Sequence, residues 1–335
     1  MSHPLPAALK TAIEDFASGQ VRAAIARRAA QISEQYRSGG ASRQAITSPA
    51  DVAAYLLARM PATFAAVSAA LDAARRHMPS FEPASLLDLC AGPGTASFAA
   101  LALWPKLGAL TLIDVNPLLL DAARRLGEAG AMPMRGKARL ICSELGSAFG
   151  RLPRADLVVM SYALVELPES EIAELARRIR SLAAGLALFV EPGTPEGFRR
   201  ILLCRDALIE AQANIIAPCP HSLACPMQPP QWCHFSERLP RSRDHRLVKG
   251  ASLPFEDEPY CYLAVGRQPA EIGAEARIVS RVRVSKVEAS CRVCAADGRL
   301  ADRTVPRRER EAYAGMRRAA WGDAVVGEWR IANSE

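Results

Sequence analysis

The sequence predicts a doubly wound α/β fold: a mostly parallel sheet with helices on both faces, an N-terminal helical cap and a C-terminal cysteine-rich, basic extension. Three observations carry this reading. Five short apolar runs, at 85–89, 110–114, 138–142, 157–161 and 186–191, alternate with helical segments at 95–104, 117–128, 169–183 and 196–212. Continuous apolar strands between helices are covered on both faces, as strands of a parallel sheet are. The first run ends in a glycine turn, Leu87-Asp88-Leu89-Cys90-Ala91-Gly92-Pro93-Gly94-Thr95-Ala96, at the carboxyl end of a strand, where such sheets bind ligands. Finally, the pattern stops at residue 217 and gives way to a proline-broken stretch bearing three cysteines.

Before the sheet, residues 5–38 place Leu9, Ile13, Phe16, Val21, Ala24, Ile25 and Ile32 at helical spacing, and Ser38-Gly39-Gly40 ends the run. A second helical region over 51–77 carries Val52, Tyr55, Leu56, Phe64, Val67 and Leu71, with Pro61 starting a new helix. Residues 1–80 are thus a helical region that covers the sheet edge or binds a partner. Residues 81–215 are the α/β core, and residues 216–325 complete the domain.

The glycine turn lets the backbone approach a ligand, and the helix behind it points its free amides there. It is not the dinucleotide fingerprint, because position 97, where a third glycine would stand, is Ser97. The second strand ends in Asp114-Val115-Asn116, and Asp114 lies twenty residues after Gly94, where an acid can accept both hydroxyls of a ribose. Acid, three residues, glycine, one residue, glycine resembles motif I of class I S-adenosylmethionine-dependent methyltransferases. That resemblance implies that Asp88 orients the methionine end of the cofactor and that Gly92 and Gly94 pass beneath it. The contact set it implies is Asp88, Ala91, Gly92, Gly94, Asp114, Asn116, Glu144 and Ser161, with Glu144 after the third strand near adenine. A catalytic motif is not evident. The fourth strand runs into Ser161-Tyr162-Ala163-Leu164, without the Asn/Asp-Pro-Pro-aromatic pattern of base amino-methylating enzymes. Carbon-5 chemistry needs a thiolate nucleophile, and no cysteine lies between Cys142 and Cys204. Tyr162 either stacks on a base or packs in the core.

Residues 217–238 contain Cys219, Cys225 and Cys233, with Pro220, Pro226, Pro229 and Pro230 among them. Proline removes donors and fixes the backbone, so the stretch is a loop. Its thiols, with Trp232 and Phe235, point to a metal-binding loop whose fourth thiolate comes from Cys291-Arg292-Val293-Cys294. Structural zinc sites use cysteine pairs two to four residues apart, a spacing met only by Cys291 and Cys294. Gaps of five and seven residues with a remote fourth ligand suit a [4Fe-4S] cubane, with zinc as the alternative. The tight spacing of a radical-type cluster is absent, which makes the centre structural. His221 and His234 either replace a thiolate or hydrogen-bond to one. Cys90, Cys142, Cys204 and Cys261 read as small buried hydrophobes.

The chain has 335 residues, a net charge of +7 and a pI near 9.1. Between Glu237 and Arg318 there are 18 Lys and Arg against 12 Asp and Glu, so six of the seven surplus charges lie in that quarter. Such a basic face suits a polyanion; a solvated arginine-rich surface has the same composition. Within it, residues 277–286 alternate apolar with basic side chains, as a strand whose outward face carries Arg281 and Arg283. The expected strand over 258–266, the Asp297-Gly298 turn and the arginine-dense 303–318 segment complete the extension. No leader-like segment opens the sequence and no apolar run reaches the roughly 20 residues of a membrane span, so the expected compartment is the cytoplasm.

The cysteine loop, the Trp232-Cys233-His234-Phe235-Ser236-Glu237-Arg238 run, Val190-Glu191-Pro192-Gly193 and Cys291-Arg292-Val293-Cys294-Ala295-Ala296-Asp297-Gly298 together resemble the methyltransferase-like assembly proteins of the small ribosomal subunit, known in mitochondria and bacteria. The resemblance covers roughly residues 45–325. It implies a class I methyltransferase (Rossmann-like) fold, S-adenosylmethionine, a [4Fe-4S] cluster on Cys219, Cys225, Cys233 and Cys294, with Cys291 as the alternative fourth ligand. It also implies partners: ribosomal RNA and assembly intermediates of the small subunit, no membrane, and a monomer off the ribosome. Whether such a protein methylates RNA or only binds it stays open at this point. The other reading is a small-molecule methyltransferase with a structural zinc.

Overall fold

The computed structural model describes residues 3–19, 21–37, 45–129, 136–249, 252–326 and 330–331. Four helices come first: α1 (Ala7–Phe16), α2 (Arg22–Arg37), α3 (Pro49–Ala58) and α4 (Met60–His77). The expected single run over 5–38 is two helices, because α1 ends in a turn at Ser18 and Gly19, where Gly19 has φ +82°. Its expected stop at Ser38-Gly39-Gly40 lies outside the described residues. Ser48 caps α3, its hydroxyl accepting from the Asp51 amide at 3.3 Å, and Pro61 sits in the first turn of α4. Helix α4 is buried almost all round, as a helix enclosed on several sides must be. Phe64 is 2% and Leu71 0% exposed, so truncating either to alanine costs about 2–5 kcal/mol.

The sheet follows: β1 (Ser85–Leu89), α5 (Thr95–Leu103), β2 (Ala109–Asp114), α6 (Pro117–Glu128), β3 (Ala138–Cys142), α7 (Leu145–Ala148), β4 (Ala155–Ser161), α8 (Glu169–Leu182), β5 (Ala183–Pro192), α9 (Pro195–Glu210) and β6 (Asn214–Ala217). Then come β7 (Phe235–Pro240), α10 (Arg243–Lys249) and β8 (Phe255–Gly266). The strand order is β3-β2-β1-β4-β5-β8-β6, with β7 also paired to β8. Strands β1 to β5 are parallel, while β8 runs antiparallel to β5 and β6. Successive side chains feed opposite faces. Leu86, Leu157, Val159, Leu186 and Leu188 enter the core shared with α3 to α6, whereas Leu87, Leu89, Val158, Met160 and Phe189 enter the core under α8 and α9. This is a doubly wound, mostly parallel α/β sheet with helices on both faces.

Strands β6 and β7 lie end to end on the same edge of β8: Ala217 pairs with Ala264 and Phe235 with Tyr260. The cysteine loop, residues 218–234, therefore leaves and re-enters the sheet beside Cys261, Tyr262 and Leu263.

The extension builds a second sheet of β9 (Ala276–Ile278), β10 (Arg283–Val284), β11 (Glu288–Ala295), β12 (Leu300–Pro306), β13 (Ala324–Val326) and β14 (Arg330–Ile331), with α11 (Arg310–Arg318) against it. The expected strand over 277–286 is interrupted. At Val279 the amide donates to the Arg292 carbonyl (2.9 Å), and Ser280 Oγ accepts from the Arg292 amide (2.7 Å), so the chain turns away after three residues. Arg281 and Arg283 are exposed, but Arg277 is 3% exposed and points inward. Among the described residues no single helix is long and apolar enough to cross a membrane, and the apolar α3–α4 pair is bent by 50°.

Candidate cofactor cleft and cysteine centre

The carboxyl ends of β1, β2, β4 and β5 form the first site. Gly94, at the start of α5, has φ +79°, and an added Cβ would stand 3.1 Å from Leu112 Cδ2 and 3.4 Å from Ala123 Cβ; only glycine fits there. Asp88 is fully buried. Its Oδ2 accepts from the Ser97 amide (3.0 Å) and hydroxyl (2.7 Å), tying the strand to the first turn of α5. Its Oδ1 is buried without a partner, and burial pushes its carboxyl up to about 7 against the pull of the Ser97 bonds. Asp114 accepts the Gly92 amide on Oδ2 and the Asn116 amide on Oδ1, both at 2.8 Å. Each oxygen keeps a second lone pair for a ligand hydroxyl.

Asp88, Ala91, Gly92, Gly94 and Asp114 thus stand together, with Ser161 at the end of the neighbouring β4. The side chain of Asn116 is occupied: Oδ1 caps α6 through the Leu118 amide (3.0 Å), and Nδ2 donates to the Ile46 carbonyl of the cap (2.9 Å). Glu144 is exposed beyond β3. Cys204 and Cys261 are buried as expected, but Cys90 is half-buried and Cys142 is exposed at the end of β3, the outermost strand on its side of the sheet.

The edge beside β4 is filled by the chain itself. Tyr162, at φ +56°, donates its hydroxyl to Glu258 Oε1 (3.1 Å), and the Arg59 guanidinium lies 5.9 Å from its ring centre. Glu191, buried at the end of β5, accepts the Ala163 (2.9 Å) and Leu164 (2.7 Å) amides on Oε1. Its Oε2 has no partner, and burial pushes its carboxyl up to about 8.

The second site lies where α9, the cysteine loop and the second sheet meet. Cys219, Cys225, Cys233 and Cys294 line one cavity of about 40 Å³, together with Arg205, His221 and Arg277. Cys294 stands directly opposite Arg277 in the β9–β11 pair, so both project to the same face. Cys291, three positions earlier, faces the other way into a small core with Ala289, Val293 and Val305. The four sulfurs lie within each other's fields. Burial first, and then Cys219, Cys225 and Cys294, push the Cys233 thiol well up, and burial followed by Cys219 and Cys225 takes Cys294 to about 12. Among the described residues, however, no three His, Cys, Asp or Glu side chains are grouped tightly enough to hold one ion. The thiols border a shared space rather than a point.

Two arginines that the sequence reading did not place flank this space. Arg205, 2% exposed, points Nε at Cys219 Sγ (3.4 Å) and Nη2 at the His221 (3.1 Å) and Leu223 (2.7 Å) carbonyls. Arg277 donates Nε to the Pro218 carbonyl (2.7 Å) and Nη1 to the Gly322 carbonyl (2.9 Å), and its Nη2 lies 3.0 Å from His77 Nε2 of α4. The alternation around Arg277 read as a surface strand, and only long-range pairing distinguishes the two. His221 Nδ1 accepts the Leu223 amide (3.1 Å), so Nε2 carries the proton that faces Cys294 Sγ at 3.3 Å. Trp232 stacks on His234 at 5.1 Å, and Trp321 meets the same ring edge-on at 4.6 Å.

A family model described as mitochondrial small ribosomal subunit Rsm22 matches residues 49–326. The human ribosome assembly protein METTL17, mitochondrial, is 26% identical over 285 residues, covering 81% of this chain and 61% of that protein. The fission-yeast Rsm22-cox11 tandem protein 2, mitochondrial, is 24% identical over 342 residues, covering 87% of this chain and 45% of that one. The chain therefore spans less than two thirds of the length of these relatives. Solved structures with similarity include the magnesium protoporphyrin IX methyltransferase of Synechocystis (TM-score 0.40, 13% identity, 78% of this chain and all of that one). An O-methyltransferase family protein from Burkholderia thailandensis gives TM-score 0.40 at 13% identity, covering 66% of this chain and 60% of that one. The expected cytoplasmic location is overturned by the relatives, which are named as mitochondrial proteins. The lack, among the described residues, of a helix long and apolar enough to cross a membrane carries no information on which compartment holds a chain. With the match running from α3 to β13, through the cleft and all four cavity-lining cysteines, this chain belongs to the mitochondrial small ribosomal subunit Rsm22 family.

Proposed function

We propose that this chain is a small-ribosomal-subunit assembly factor that uses a methyltransferase fold as an RNA-binding platform, organised by a four-thiolate iron–sulfur centre. The observation that carries the reading is the cavity shared by Cys219, Cys225, Cys233 and Cys294 between two buried arginines. Arg205 has Asp206 Oδ1 at 3.5 Å on its outer side, whereas Arg277, among the described residues, meets only carbonyls and His77; with neutral thiols its buried charge faces an uncharged space, which is costly. A thiolate-ligated cluster of net negative charge would balance Arg277 and add to the field on Arg205. Gaps of five and seven residues with a remote fourth thiolate suit a larger centre than one zinc ion, whose structural sites take cysteine pairs two to four residues apart. His221 then serves as a hydrogen-bond donor to a ligand sulfur rather than as a ligand.

The cleft at the ends of β1 and β2 fits S-adenosylmethionine. The unpartnered Asp88 Oδ1 is placed for a cationic group, and Asp114 retains lone pairs for hydroxyls. A bound cofactor would supply an activated methyl group there. The chain's own residues hold the other side closed: Tyr162 is engaged by Glu258 and Arg59, and Glu191 occupies the amides after β4. That arrangement favours binding without transfer. The exposed arginines Arg281, Arg283, Arg303, Arg307, Arg308, Arg317 and Arg318 of the second sheet and α11 supply the contact with RNA phosphates.

The test incubates the anaerobically purified chain with immature small subunits and methyl-labelled S-adenosylmethionine. The expected result is salt-sensitive subunit binding without label in the RNA. Label in the RNA would make the chain a methyltransferase, and absence of subunit binding at low salt would refute the assembly role.

A further inference from the structure

The β10–β11 hairpin carries apolar side chains into solvent on a backbone that is held still. Arg283 pairs with Ser290 and Val284 with Ala289, and the chain reverses through Ser285-Lys286-Val287-Glu288. Val284 is 50% and Val287 69% exposed. Exposed valines scattered singly are ordinary, but these two share one turn. The Ser285 amide donates to the Glu288 carbonyl (2.8 Å), and Ser285 Oγ accepts from the Glu288 (3.0 Å) and Val287 (3.2 Å) amides. Arg307, just after β12, braces the turn from the neighbouring strand: its amide donates to the Val287 carbonyl (2.7 Å) and its Nη1 to the Lys286 carbonyl (3.4 Å). Tyr313 of α11 donates its hydroxyl to the Ser285 carbonyl (3.0 Å). A tip fixed in this way loses little conformational freedom when a partner covers it.

Its surroundings are cationic. Arg281, Arg283, Lys286, Arg307 and Arg308 are exposed there, against Glu288 and Glu309. Among the described residues neither Arg283 nor Lys286 forms an ion pair. An apolar tip set among such charges fits a polyanion that also offers apolar faces. Continuous duplex RNA offers none within reach, because its major groove is deep and narrow and its shallow minor groove displays hydroxyls. Unpaired nucleotides do offer them, since a base outside the stack exposes its face beside its own phosphate.

We infer that the β10–β11 tip recognises unpaired nucleotides: Val284 and Val287 cover an unstacked base while Arg283 and Lys286 take the neighbouring phosphates. This rests on the reading of the chain as an RNA-binding assembly factor and goes further than it. Arginines on phosphates hold duplex and loop alike, whereas the valines tell the two apart.

The experiment measures binding of the full, anaerobically purified chain to a continuous duplex RNA and to the same duplex carrying a bulge of unpaired nucleotides, over a series of salt concentrations. The wild-type chain is expected to prefer the bulged RNA by about tenfold, from the apolar area the two valines bury. Val284→Thr with Val287→Thr, which keeps the branched shape and adds a hydroxyl to each, is expected to bind both RNAs alike with the duplex affinity unchanged. Val284→Ile with Val287→Ile is expected to keep the preference, and thermal unfolding of each variant separates a lost contact from a lost fold. Arg283→Gln with Lys286→Gln is expected to weaken both RNAs together and to lower the slope of log affinity against log salt by about two. Equal affinity of the wild type for the two RNAs, or a threonine variant that keeps the preference or loses both RNAs equally, overturns the inference while leaving the RNA reading standing. A threonine variant that binds both RNAs as the wild type does but no longer binds immature subunits would give the tip to a protein partner instead. If the wild-type chain binds neither RNA at low salt, the RNA reading itself fails and the inference falls with it.

Discussion

His221 Nε2 lies 3.3 Å from Cys294 Sγ, and the opposite ring nitrogen accepts the Leu223 amide, which fixes the tautomer so that the imidazole donates to the sulfur. A donor to a ligand sulfur tunes a metal centre without belonging to its coordination set. His221→Ala is therefore expected to keep its iron but to lose it to a chelator about ten times faster than the wild type. Iron release followed by absorption checks this; complete absence of iron in the variant as purified would make His221 a ligand.

Cys291 and Cys294 are separated by three positions on one strand, and β-strand geometry turns them to opposite faces. Cys294→Ser is expected to abolish the cluster and to lower solubility, because the loop and the second sheet lose their common centre. Cys291→Ser is expected to keep the full iron content and to cost about 1–3 kcal/mol of stability from a hydroxyl placed in an apolar core. Iron analysis of the two variants side by side decides the point; the reverse pattern would move the fourth ligand to Cys291.

His3 is held by a charge cluster. His3 donates its amide to Glu237 Oε1 at 3.0 Å, its Nδ1 lies 3.2 Å from the same oxygen, and its Nε2 lies 3.7 Å from Asp72 Oδ2. Burial lowers the pKa of His3, but the bonds to Asp72 and Glu237 outweigh it and raise the imidazole to about 9. Because the folded value exceeds the unfolded one, this contribution is complete below about pH 6.5 and is lost as pH rises through about 9. Between those limits wild-type stability should fall by about 2 kcal/mol more than that of His3→Gln, a figure reduced for solvent screening. Denaturant unfolding at a series of pH values measures it, and parallel curves for the two proteins would contradict the assignment.

The parts of the fold set by local pattern were legible in the sequence. The five parallel strands, the helices between them and the glycine turn follow from apolar runs and from one backbone requirement at Gly94. Pro61 marks the start of α4 for the same local reason. What the sequence hid depends on distant pairing. Arg277 sits in an alternating stretch that looks like a solvated strand, yet its register opposite Cys294 buries it against Pro218, Gly322 and His77. Arg205 belongs to an ordinary amphipathic helix, and only the return of the cysteine loop along β8 shows what it faces. Which of Cys291 and Cys294 borders the cavity was open for the same reason: spacing admits both, and register turns Cys294 toward it.

The central claim is that four thiolates from the cysteine loop and β11 hold one iron–sulfur cluster at the junction of the two sheets. Iron and acid-labile sulfide analysis of the anaerobically purified chain, with its absorption spectrum, tests this directly. About four irons and four sulfides per chain, with a brown colour that bleaches on reduction, is the predicted result. A colourless protein carrying about one zinc per chain would contradict it.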